Sequence, residues 1–217
     1  MRCPGSVKAS EGIPNVSSPA AEEGTMLHEV AANLLMGLPH EYEITDEQEE
    51  VVRAYVDLVK QEAEGKTLYV ETKFKLPQHP EFWGTADCVV VDGDNLRIYD
   101  FKAGRGVAVE VDYNGRINPQ LGFYALGACS ALGKYDWGNV ELIVVQPRFG
   151  GVKRRTTNPQ ELEELVEEMI AATKLAELDD APRHAGSHCK FCLARATCPQ
   201  LRDYVYELAR MDFDAVA

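Results

Sequence analysis

The sequence predicts a mixed α/β fold, a central sheet flanked by helices, with a cysteine-rich tail. Three observations predict it. Apolar residues recur at helical spacing on both sides of the middle of the chain. The middle itself carries short β-type runs around a strong hairpin signal. Three of the six cysteines crowd between residues 189 and 198. A length of 217 residues suits a single domain spanning 1–217. Within it, residues 21–178 read as the core, and 1–20 and 179–217 as terminal segments.

The elements follow in order. Residues 4–20, rich in Pro, Ser, Gly and Ala, read as an arm. A helix is expected over about 21–36, where Leu27, Val30, Leu34 and Leu35 keep helical spacing and Gly37 is the stop. A second covers about 46–63, with Val52, Tyr55, Val56 and Val59 on one face. Thr67 to Leu76 has β-type composition. Thr85 to Val91 and Leu96 to Lys102 flank Asp92-Gly93-Asp94-Asn95, a hairpin turn. A helix over about 118–133 follows, then the apolar strand Val140 to Gln146. Gly150-Gly151 turns the chain into Val152 to Thr157. Asn158, Pro159 and Glu161 supply a cap, a first-turn proline and an acid for a helix to about 178. A short final helix closes the chain.

Hydrophobic residues make up 45% and charged residues 26%, the balance of an ordinary globular protein. No apolar run approaches the ~18 residues of a membrane helix. Met1 to Ser10 lacks the apolar stretch of a secretory signal, so the cytoplasm is the expected location. Net charge is −13, which by itself argues against a polyanionic partner. Distribution qualifies that sum: acid gathers in Glu41 to Glu64 and Glu161 to Asp180, whereas basic residues cluster at Lys102 to Arg105 and at Arg148 with Lys153-Arg154-Arg155.

If Gly93-Asp94 is the two-residue turn, cross-strand partners have numbers summing to 187, and Asp87 faces Asp100. Side chains alternate along a strand, so Asp100 and Lys102 share a face. Two opposed carboxylates repel. A divalent cation such as Mg²⁺ or Mn²⁺ relieves the repulsion, and a lysine beside it suits metal-assisted phosphodiester hydrolysis. The plainer alternative is a salt bridge between Asp87 and Lys102, with Asp100 as a cap.

Gly84-x-x-Asp87, Asp100-x-Lys102 and Gln120-x-x-x-Tyr124, preceded by Gly24-x-x-x-His28, resemble in order and spacing the RecB-like branch of the PD-(D/E)xK nucleases. The resemblance implies a restriction-endonuclease-like core that cuts DNA. It implies Asp87, Asp100 and His28 as metal ligands and Lys102 as the catalytic lysine. Gln120 and Tyr124, one helical turn apart, would position the strand or the site. Glu71 is a further candidate acid. A single-strand-preferring exonuclease of phage or bacterial recombination, repair or replication, with a helicase or recombinase partner, is the implied role. A non-catalytic DNA-binding scaffold is the alternative.

Cys189, Cys192 and Cys198 form C-x2-C-x5-C, three thiols asking for a fourth ligand. Cys88 and Cys129 lie in apolar surroundings and read as core thiols, which leaves Cys3. Spacing does not separate iron–sulfur from zinc, for which His184 and His188 also qualify. The arrangement resembles the iron–sulfur nucleases, the CRISPR-associated exonuclease and AddB-type families, together with a phage family that begins Cys-Pro-x-Ser. That resemblance implies a [4Fe–4S] cluster on Cys3, Cys189, Cys192 and Cys198 joining the two ends of the chain. For DNA contact, Arg105, Arg148, Phe149, Lys153, Arg154 and Arg155 are the candidates: the cations for phosphates, Phe149 for stacking on a base.

Overall fold

The computed structural model describes residues 2–76 and 79–214. They form two compact units, Ser17–Leu165 and a discontinuous one made of Met1–Val16 with Val166–Ala217.

The larger unit starts with α2 (Pro19–Met36), after a short α1 (Ser6–Ser10) in the other unit. Ser18 accepts the Ala21 N–H and Pro19 takes the first turn, so the helix begins two residues before the expected point. Helix α3 (Asp46–Glu62) opens with a reciprocal Thr45–Gln48 capping box. The strands β1 (Thr67–Leu76), β2 (His79–Asp92) and β3 (Asn95–Phe101) follow as an antiparallel meander. Next come a two-residue ribbon, β4 (Asp112–Tyr113) with β5 (Arg116–Ile117), and then α4 (Pro119–Leu132), β6 (Asn139–Gln146), β7 (Gly151–Thr157) and α5 (Pro159–Ala176).

The five-stranded sheet has the order β1-β2-β3-β6-β7. Strands β3 and β6 are parallel, so α4 is the crossover between them. The β2–β3 register is the one read from Gly93-Asp94: Cys88 pairs with Tyr99 and Asp92 with Asn95. Apolar side chains of α2 (Leu27, Val30, Leu35) and α3 (Val52, Tyr55, Val56) pack on Cys88, Val90, Tyr99, Phe101, Ile143 and Val145. The alternate residues Val89, Ile98, Leu142 and Val144 are buried too, which requires a second cover. Helix α4 packs against β1, β2, β3 and β6.

Three stretches differ from the sequence expectation. Strand β2 starts at His79 rather than Thr85, because β1 is long enough to pair with it through Lys75↔Trp83. The β4–β5 ribbon turns on Asn114-Gly115, where both residues take left-handed backbone angles. The final helix α6 (Pro199–Asp214) has 16 residues and is not short.

In the discontinuous unit, the Gly5 N–H donates to Pro182 O at 2.9 Å, holding the N-terminal arm to the segment after α5. A β-carbon at Gly5 would lie 2.4 Å from Ala181 O, so only glycine permits this approach. No described helix is long and apolar enough to cross a membrane.

Candidate active site and cysteine cavity

The site forms where β3 ends. Asp100 is 1% exposed, and its Oδ1 accepts from Lys102 Nζ at 2.9 Å. Its Oδ2 is buried with no hydrogen-bond partner among the described residues. Asp87, on β2, accepts the Phe101 N–H at 2.8 Å with Oδ2, and its Oδ1 lies 3.4 Å from His28 Nδ1 on α2. His28 is kept in place by the Phe101 ring, 5.1 Å away between centroids, and Phe101 stacks on Tyr55 at 4.6 Å. Gln120 Nε2 donates to the Tyr124 hydroxyl at 2.8 Å, and Tyr124 meets the edge of Phe74. Asn118 sets the start of α4 by accepting the Gln120 N–H and donating to Glu110 O.

The electrostatics follow from burial. Desolvation pushes the Asp100 carboxyl up to about 6; Lys102 pulls it down, and Asp87 pushes it up. Burial alone would lower His28, but the Asp87 hydrogen bond and charge outweigh it and raise it. Lys102 is likewise held back by burial and raised by Asp100. Burial raises Tyr124, and the Asp100 charge adds to it.

Two residues beyond the motif set line the same tightly packed recess as His28 and Asp87. These are Tyr55 and Glu71. The Tyr55 hydroxyl is buried against the Cys88 thiol. Glu71 has φ 51, rare for a side chain of its size, and falls where the β1–β2 pairing skips between Val70↔Cys88 and Thr72↔Ala86, opposite Asp87. Burial and the Asp87 charge raise its carboxyl. Gln146, 2% exposed, bonds Gly104 O, Val107 O and the Val109 N–H, and so fixes the loop after Lys102. Its sequence signal was a lone amide ending an apolar strand.

Among the described residues, no three His, Cys, Asp or Glu side chains stand as a ready group for one metal ion. The fit of a cation therefore rests on the donors themselves: the partnerless Asp100 Oδ2 beside Asp87 is the kind of buried acceptor a divalent ion satisfies.

The basic residues named for phosphate contact are engaged with carboxylates. Arg148, with a side chain 4% exposed, bonds both Glu47 oxygens at 2.8 and 2.6 Å, Glu23 at 2.8 Å and Ala103 O at 2.8 Å. Arg105 pairs with Glu47 at 2.7 Å, and Lys153 with Glu110 at 2.6 Å. Arg154 pairs with Glu62 and Glu141, and Arg155 with Asp112 and Glu161. Each cation of the basic hairpin expected to contact phosphate thus has a carboxylate partner in the protein alone. Phe149 is exposed.

Cys3, Cys189, Cys192 and Cys198 are free thiols and line one small cavity of about 20 Å³, together with His184 and His188. The His184 N–H points at Cys3 Sγ, 3.4 Å away. His188 Nε2 lies 3.0 Å from His184 O, which occupies that ring nitrogen. Cys88 and Cys129 are buried elsewhere, and burial pushes the Cys88 thiol up to about 12 and that of Cys129 to about 11.

Among solved structures, the chain is 12% identical to LHK-Exo in complex with dAMP, over 79% of this chain and 86% of that one, at a TM-score of 0.35. It is 16% identical to SSO0001, over 81% and 94%, at 0.33. It is 12% identical to an alkaline exonuclease (LHK-Exo) from Laribacter hongkongensis, over 80% and 91%, at 0.33. One family model matches residues 1–217, and the chain accordingly belongs to the family described as "Protein of unknown function (DUF2800)".

Proposed function

We propose that this protein is a metal-dependent nuclease that hydrolyses phosphodiester bonds in DNA, acting on single strands from an end. The observation that carries the reading is Asp100 Oδ2: a carboxylate oxygen fully withdrawn from water, unpartnered, with Lys102 on its sister oxygen and Asp87 alongside. Burying such a group without compensation is costly, and a cation supplies the compensation.

In this reading Asp87 and Asp100 hold Mg²⁺ or Mn²⁺, which when bound polarises a phosphate oxygen and acidifies a water. Lys102, charged and tied to Asp100, orients the attacking water or steadies charge on the phosphate. His28 fixes the Asp87 carboxylate from the side of α2. The Gln120–Tyr124 pair presents a hydroxyl beside Lys102 for a non-bridging oxygen.

We further propose a [4Fe–4S] cluster on Cys3, Cys189, Cys192 and Cys198. Four thiols spread around one cavity suit a cluster whose irons each take one thiolate, and the His184 N–H aimed at Cys3 Sγ is a donor to ligand sulfur.

The test is anaerobic purification followed by end-labelled single- and double-stranded DNA with Mg²⁺, Mn²⁺ or EDTA. Cleavage should require metal, and Asp100→Ala should lower it at least about a hundredfold. Equal amounts of iron and acid-labile sulfide would support the cluster, and zinc would replace it. Tight DNA binding without cleavage by the wild type would favour a scaffold role and sink the nuclease reading.

A further inference from the structure

The nuclease reading leaves open where a strand of DNA is held, since the cations first suspected are bound to carboxylates. The opposite edge of the sheet offers a different surface. Trp83 on β2 is 70% exposed, the most exposed tryptophan position available to a ligand, whereas the second tryptophan, Trp137, is 7% exposed. Cross-strand pairing places Trp83 opposite Lys75 and Thr85 opposite Lys73. These four residues, with Phe74 and Gly84, line an open depression of about 700 Å³. Among the described residues neither lysine closes an ion pair, and Lys73 acts on the Glu71 carboxyl only through its charge.

In a chain of net charge −13, two unpaired ammonium groups flanking an exposed indole are a local exception. Their charge is complementary to a phosphate backbone, and the indole to the face of an unstacked base. A duplex hides base faces inside its stack; a single strand presents them. The surface also connects to the candidate site along the same two strands. Trp83 is four residues before Asp87, about 13 Å at ~3.3 Å per residue, and Lys73 is two residues after Glu71, whose carboxyl it helps to stabilise. That separation spans about four nucleotides at the stacked spacing of ~3.4 Å.

We propose that the outer face of the β1–β2 hairpin is a binding platform for single-stranded DNA next to the site, with Trp83 stacking on a base and Lys73 and Lys75 holding phosphates. The proposal rests on the nuclease reading for its role, but its test does not need cleavage.

The test titrates the full chain with a short oligothymidylate in EDTA and follows tryptophan fluorescence. Trp137, being buried, supplies a constant background. Saturable quenching is expected in the wild type. Trp83→Ala should abolish the quenching and weaken binding on the order of ten- to a hundredfold, while Trp83→Phe keeps most of the affinity. Lys73→Gln with Lys75→Gln should lower the slope of log affinity against log salt by about 1.4, at ~0.7 per phosphate released. Unchanged binding by Trp83→Ala, or equal quenching by a duplex or tighter binding of an RNA strand of the same length, overturns the proposal. Quenching without any metal-dependent cutting would keep the platform and remove the nuclease. Cutting without quenching would remove the platform alone.

Discussion

Replacing Arg148 with methionine should cost the protein stability and leave its affinity for DNA unchanged. The guanidinium is nearly enclosed and joins the turn after β6 to Glu23 of α2, Glu47 of α3 and the Ala103 carbonyl in the loop after β3. The Glu47 hydrogen bond is the main reason its pKa is raised further still, and the same contact holds the Glu47 carboxyl down; Glu23 is lowered chiefly by its own bond to Arg148. Methionine fills part of the volume but donates nothing. The two carboxylates are partly exposed and re-solvate, so their loss is small. Ala103 is 3% exposed, and losing the donor to its carbonyl costs about 1–3 kcal/mol. A change near ~2 kcal/mol lowers the melting temperature by about 4–8 °C in a chain of this size. The carboxylate share has a pH signature. Both carboxyls are depressed, so it is present above their ordinary range and lost as pH falls through the depressed values. The gap between wild type and variant should narrow in acid only by that small carboxylate share, the share of the Ala103 bond remaining. Thermal melts across pH, with salt-dependent DNA binding in parallel, check this. An unchanged melting temperature with a salt slope reduced by ~0.7–0.9 would make Arg148 a phosphate contact after all.

The Asp100 carboxyl is raised from its ordinary 3.8 to about 6, so its stabilising share in the metal-free protein is complete below the unfolded value and is lost as pH climbs through about 6. The two-unit shift amounts to roughly 3 kcal/mol; urea melts in EDTA should show this decline for the wild type and none for Asp100→Asn, and a decline of equal size in both would refute the assignment. Cys198→Ser should lose iron and melt lower, whereas Cys129→Ala should keep its iron; metal analysis of the two separates ligand from core thiol. A β-carbon at Gly127 would stand 2.1 Å from Phe74 Cδ2, so Gly127→Ala should cost about 1–3 kcal/mol by overpacking. Adding Phe74→Leu should recover part of it, and strictly additive losses in denaturant melts would show that the two do not touch.

The β2–β3 hairpin was readable because Gly93-Asp94 sets a register and the flanking runs are apolar enough to fix it; everything about Asp87, Asp100 and Lys102 descends from that turn. His28 and the Gln120–Tyr124 pair stood out only through the family resemblance, since neither a lone histidine nor a Gln–Tyr pair on a helix marks a site by itself. The fate of Arg148 was not. Its partners Glu23 and Glu47 lie 125 and 101 positions away, and a sequence displays the charge of a residue but not the charge folded against it. The same holds for Arg154, whose partner Glu62 is 92 positions away. The Asn114-Gly115 ribbon escaped notice for a local reason: two residues on each side are too few to show an alternating pattern, although the dipeptide itself was a turn signal. Trp83 was passed over because a single aromatic among Pro, Gly and Glu carries no period, and only the pairing with β1 shows which neighbours it has.

The discontinuous unit has a consequence for how the protein is made. Cys3 leaves the ribosome well before His184, whose N–H meets its sulfur and which lies 181 positions later. At about 5–20 residues per second, that is a wait of roughly 10–40 s. The whole sheet is translated in that interval, so the larger unit can close while the N-terminal arm still has nothing to fold onto. A newborn chain thus passes through a period in which the Cys3 thiol stands bare, and any oxidant or stray metal present then has first access to it.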